Sequence, residues 1–145
     1  MTAIRSIRVA AAVAVLGTGI LTGGLTTVAG AKSTPKLFVA PSTGLTNGRT
    51  VTVKGTGFKP KDQLYITECL RTAKDATGCD TATAFPVTVS ATGVLPATKF
   101  KLITGVIGNG KCGTKPTNLN KCAVSVGNIN GRDTASANIT FVLKK

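Results

Sequence analysis

The sequence predicts an all-β fold, a seven-stranded immunoglobulin-like β-sandwich held by two disulfides, with a small barrel as the alternative closure. Three observations point there. Short runs alternate apolar and polar residues with period two, and helical periodicity is almost absent after the first thirty residues. Turn chemistry recurs between the runs, as in Asn47-Gly48, Pro60, Gly93 and Asn130-Gly131. Cysteines come as an even set of 4, with no histidine and no tryptophan in the chain.

The elements follow in order. "KLFVA", 36–40, reads as the first strand. Asn47-Gly48 then turns the chain into "TVTVKG", where Val51 and Val53 share a face. Pro60 sets a turn before "QLYITEC", a strand that runs to Cys69. After a loop, "FPVTVS" places Val87 and Val89 on one side, and Gly93 turns it into "VLPATKFKLI". A long segment rich in glycine, lysine and asparagine reads as loop, and "KCAVSVG" is the next strand. Asn130-Gly131 leads into the last, where Ala135, Ala137, Ile139, Phe141 and Leu143 alternate with Ser136, Asn138, Thr140 and Val142.

The N-terminus sets the expected compartment. Arg5 and Arg8 precede an uncharged, largely apolar stretch from Val9 to Leu25, and Ala29-Gly30-Ala31 has the small-x-small pattern of a cleavage site. Residues 1–31 therefore read as a secretory signal, and 32–145 as one secreted domain with no membrane attachment after cleavage. Of the net charge of +13, Arg5 and Arg8 account for two, leaving +11 on the domain. The five acids are Asp62, Glu68, Asp75, Asp80 and Asp133, and none lies between Thr81 and Arg132. Such a balance favours anionic partners. Lys111, Lys115 and Lys121 in the acid-free segment are the candidates for weak, sequence-independent contact with DNA or another anion.

Cys69 and Cys79 are separated by nine residues, and so are Cys112 and Cys122. Zinc knuckles want two to four residues between ligands, often with histidine, and thiol oxidoreductases want C-x-x-C. An exported chain with this pattern forms two bridges, with three connectivities open. A serine or cysteine nucleophile lacks an imidazole to activate it, and no pair of carboxylates falls at glycosidase-like positions. "GNGKCG" lacks the spacing and the following helix of a phosphate loop. The expectation is a non-enzymatic binding protein with no metal and no bound cofactor of its own.

"APSTGLTNGRTVTVKGTGF", the C-x9-C loop 69–79, "VTVSATGV" and "KCAVSVGNINGRDTASANITF" together resemble the neocarzinostatin family, the secreted apoproteins of enediyne antibiotics. The resemblance covers residues 37–141. It implies an immunoglobulin-like sandwich, pairing of Cys69 with Cys79 and of Cys112 with Cys122, and a chromophore cleft flanked by both cysteine loops and a hairpin. Carried over residue by residue, it puts Arg71 where relatives hold a large aromatic, Phe85 beside the pocket phenylalanine, and Ala123 and Gly127 at cleft-facing positions. The implied function is non-covalent binding of a small-molecule antibiotic chromophore, with a DNA-binding and antibacterial role. With Arg71, Lys74, Lys111, Lys115 and Lys121 around the mouth, the expected ligand is a small hydrophobic or amphipathic anionic molecule, bound by a monomer. The alternative is a secreted basic interaction module that holds an anionic cell-envelope polymer or a protein partner and no chromophore.

Overall fold

The structure, a computed structural model, describes residues 33–144; the expected signal sequence lies outside the described residues. Nine strand segments follow in order: β1 Lys36–Ala40, β2 Thr50–Thr56, β3 Gln63–Leu70, β4 Phe85–Thr88, β5 Val94–Lys101, β6 Gly105–Ile107, β7 Gly110–Cys112, β8 Cys122–Gly127 and β9 Ala135–Ile139. All the pairings between these strands are antiparallel.

Alternation in sequence becomes two faces in space. In β2, Val51 and Val53 are buried while Thr50, Lys54 and Thr56 are exposed, and β1 and β5 flank it in the order β1-β2-β5. The second sheet runs β4-β3-β8-β9. Its inward residues include Leu64, Ile66, Val124, Val126 and Ile139, which meet Leu37, Val51, Val53, Leu95 and Phe100 of the first sheet in one core. Each large apolar side chain removed from water there contributes about 1.5–3 kcal/mol. This is an immunoglobulin-like sandwich.

Two details depart from the sequence expectation. The segment read as loop contains the short ribbon β6–β7, with Gly105 opposite Cys112 and Ile107 opposite Gly110. The last strand ends at Ile139 rather than running to Leu143. Beyond it the chain changes partner: Thr140 donates its N–H to Ser42 at 2.9 Å, and Phe141 bridges to Leu45 in parallel. Phe141 is nevertheless buried, so the alternation outlasts the ladder by one step; it ends there, because Leu143, expected inward, is as exposed as Val142.

Gly93 shows why its turn needs glycine. Its φ is +77°, and a Cβ would sit 2.6 Å from the Phe58 carbonyl oxygen.

Candidate functional site

The outward face of the four-stranded sheet is built by register. Opposed residues on neighbouring antiparallel strands share a face. One row is Pro86, Tyr65 and Gly127; the next is Thr67, Ser125 and Ser136; the third is Cys69, Ala123 and Asn138. Small and hydroxyl-bearing side chains therefore line the floor. The Ser125 and Ser136 hydroxyls lie 2.9 Å apart, in hydrogen-bond contact.

The walls come from the cysteine loops. Cys69 points outward from β3 and is bonded to Cys79, with Cα atoms 3.9 Å apart. Between them Asp75 caps a short 3-10 turn, Ala76–Gly78, by accepting from the Thr77 N–H at 2.9 Å. The Thr77 hydroxyl and then its N–H hold the Asp75 carboxyl below the usual carboxylate range. The ribbon is seated on this loop. Asn109 donates its N–H to the Thr77 carbonyl at 2.9 Å, and a Cβ on Gly108 would come within 2.3 Å of the same oxygen. Leu70, residues 72–75, Thr77, Gly78 and Asn109 together line a pocket of about 250 Å³. Cys112 ends the ribbon and is bonded to Cys122 at the start of β8, Cα to Cα 5.9 Å.

Among the described residues one ionisable side chain is fully buried, and it lies under this assembly. Glu68 faces inward between Ile66 and Leu70 on β3 and is 1 % exposed. One carboxyl oxygen, Oε2, accepts from the Ile103 N–H at 3.0 Å, and the other, Oε1, has no hydrogen-bond partner. Burial pushes the carboxyl from 4.5 up to about 7; the Ile103 hydrogen bond opposes this and the nearby Asp80 charge adds to it. A Glu68 oxygen and the sulfurs of Cys112 and Cys122 lie within 4.8 Å of one another. Both sulfurs are spent in the disulfide, and thiolates, not disulfides, ligate metals.

The residues singled out from sequence fall at several places. Arg71 follows β3 and is exposed, and its N–H donates to the Lys121 carbonyl at 2.8 Å, which adds a rung to the β3–β8 ladder. Lys121 is exposed beside it, and Lys111 is exposed on β7. Lys115 immediately precedes the 3-10 turn Pro116–Asn118, in the loop closed by the second bridge, and its backbone N–H donates to the Asn118 Oδ1 at 2.9 Å. Ala123 and Gly127 stand on the outward face, Ala123 buried beside the first disulfide. Phe85 pairs with Ile66 and so stands on the opposite, inward side, at the exposed edge of the sheet. The structure thus groups Arg71 with Lys121 and Ala123 with Gly127, and leaves Phe85 apart. Sequence reasoning passed over Thr67, Ser125 and Ser136, although the same alternation that placed the valines inward placed these outward.

A two-sheet antiparallel sandwich with a local disulfide on each of two loops beside one sheet is a distinct class of immunoglobulin-like protein. The chain belongs to the neocarzinostatin family, whose sequence profile matches residues 37–141. It is 34% identical over 112 residues to macromomycin of Streptomyces macromomyceticus, across 74% of this chain and 76% of that protein. The solved structure of macromomycin superposes with a TM-score of 0.58 at 29% identity, covering 74% of this chain and 99% of that one. The solution structure of apokedarcidin gives a TM-score of 0.51 at 26% identity, covering 76% of this chain and 100% of that one. Among the described residues no helix is long and apolar enough to cross a membrane.

Proposed function

We propose that residues 32–145 act as a secreted, non-enzymatic carrier that holds a small antibiotic-type chromophore without a covalent bond. The observation that carries this reading is the extent of the family match, which takes in both sheets, both cysteine loops and the ribbon rather than the core alone. The ligand would lie on the outward face of the four-stranded sheet, over Ala123, Ser125 and Gly127, with the first cysteine loop and the ribbon as walls. Its chemistry differs from that of a flat polyaromatic. Tyr65 is the one aromatic in the three rows of the floor, so stacking contributes little. Arg71, Lys74, Lys111 and Lys121 are all exposed around the rim; Asp75, also exposed, offsets one of these charges, and a rim of net positive charge over low-dielectric walls concentrates anions. The favoured ligand is an amphipathic anion, acidic end at the rim and apolar body within.

The test compares a naphthalene sulfonate with the matching neutral sulfonamide, on wild type and on an Arg71→Glu, Lys121→Glu double variant. Wild type should prefer the sulfonate and the variant should lose that preference. Equal binding of both probes, unmoved by charge reversal, removes the anionic-ligand reading.

A further inference from the structure

The outward face of the other sheet carries a second charged surface, unrelated to the cysteine loops. In the β1–β2–β5 register, Lys36 stands opposite Thr56, Phe38 opposite Lys54, and Ala40 opposite Thr52, which in turn faces Lys99; Thr50 faces Lys101. The cations therefore step diagonally across the sheet: Lys36 on β1, Lys54 on β2, then Lys99 and Lys101 on β5. Sheet geometry separates successive members by about 7–8 Å at the backbone. The Lys99 ammonium is laid flat across the face, donating to the Thr52 hydroxyl at 2.8 Å. Phe38, opposite Lys54, is 51% exposed.

No acid opposes this row. All five carboxylates fall outside β1, β2 and β5 and outside the segments 41–49 and 57–61 that follow β1 and β2. Asp62 and Asp133 are committed elsewhere, Asp62 accepting from the Asn128 side chain and Asp133 from the Lys59 N–H. Asp75 and Asp80 cap turns around the first bridge, and Glu68 is buried. A row of unpaired ammonium groups on a sheet face, without one counter-charge in the sheet, is complementary to a regularly charged anionic chain.

We propose that this face binds single-stranded polynucleotide, the four lysines tracking the phosphates and Phe38 offering its ring to an unpaired base. Single-strand binding surfaces combine these two elements, a basic track and an exposed aromatic, because every base has a face to stack. A duplex would leave Phe38 without a partner, and a base-free polyphosphate would use the lysines alone. A lipid surface would call for more apolar contact than Phe38 and the corner residue Val94 supply.

The test is fluorescence anisotropy of the purified protein with a labelled dT12 oligonucleotide, an abasic 12-mer of the same backbone, the matching duplex, and polyglycerol phosphate. Wild type should prefer dT12 over the abasic strand, with a log–log salt slope near −2.8 for four phosphate contacts. Phe38→Thr should weaken dT12 at least about five-fold and leave abasic binding unchanged. Lys54→Gln with Lys99→Gln should weaken both strands and roughly halve the salt slope. These side chains are exposed, so thermal melts should match wild type and certify folding. The proposal is overturned by equal affinity for dT12 and the abasic strand. Tighter binding of duplex or of polyglycerol phosphate, or an inert Phe38→Thr, overturns it as well. So does loss of dT12 binding on changing Lys111 and Lys121 instead.

Discussion

Replacing Glu68 with glutamine should remove a pH dependence that its burial builds into the fold. Unfolded, the carboxyl ionises near its ordinary value of 4.5; folded, it stays protonated until about 7. Below 4.5 both states hold the proton and the group is neutral to stability. Between 4.5 and about 7 the native state binds more protons than the unfolded one, so stability falls as pH rises. Above that window the full cost remains, about 3 kcal/mol from the separation of the two values. It arises because an ionised, dry carboxylate would keep one hydrogen bond, from Ile103, with Oε1 unpartnered. Glutamine keeps the oxygen for Ile103 and cannot ionise. Urea unfolding of both proteins from pH 4 to 8 at constant ionic strength reads the effect. The stability of Glu68→Gln relative to wild type should rise by about 3 kcal/mol across that range. Taking the difference cancels the remaining carboxylates, including Asp75, whose slope runs the other way at lower pH. Parallel curves for the two proteins would refute the reasoning.

Two further outcomes are expected. Cys69→Ala with Cys79→Ala should cost roughly 3 kcal/mol in urea unfolding, the loop-closure value for a bridge of this span, and non-reducing peptide maps of wild type should link Cys69 to Cys79 alone; unchanged stability, or a Cys69–Cys112 peptide, contradicts this. Duplex DNA should bind weakly and without sequence preference through Lys111, Lys115 and Lys121, and changing all three to glutamine should flatten the salt slope by about 2–3; an affinity indifferent to salt rules that contact out.

The sandwich was legible because its strands announce themselves twice, by alternation and by turns. Val51 with Val53 and Ala135 through Ile139 each bury one side only, which the pattern fixes locally. The ribbon was not legible. "GVI" and "GKC" are three-residue strands, too short to show a period, and the close approach of Gly110 to Leu70, where a Cβ would come within 2.6 Å of the leucine methyl, is a contact made in space. The early end of β9 was hidden for a similar reason, since the switch to Ser42 and Leu45 involves residues about a hundred positions away. Glu68 could have been found: it keeps step with Leu64 and Ile66, so the alternation already turned it inward. For Phe85 the difficulty is register. One residue decides which face of a strand a side chain takes, and similarity of spacing carries no such precision.

The seat of the ribbon on the first cysteine loop bears on how this molecule can change. With the Gly108 turn pressed against Thr77, Gly78 and Cys79, the two segments share a boundary that tolerates no added methyl group. Lengthening either segment alone would pull that boundary apart, so new loop lengths must come as matched pairs. Side chains that face solvent, such as Lys74, Val106 and Lys111, are under no such constraint. A library aimed at a new ligand should therefore vary the chemistry of these walls and leave their lengths alone.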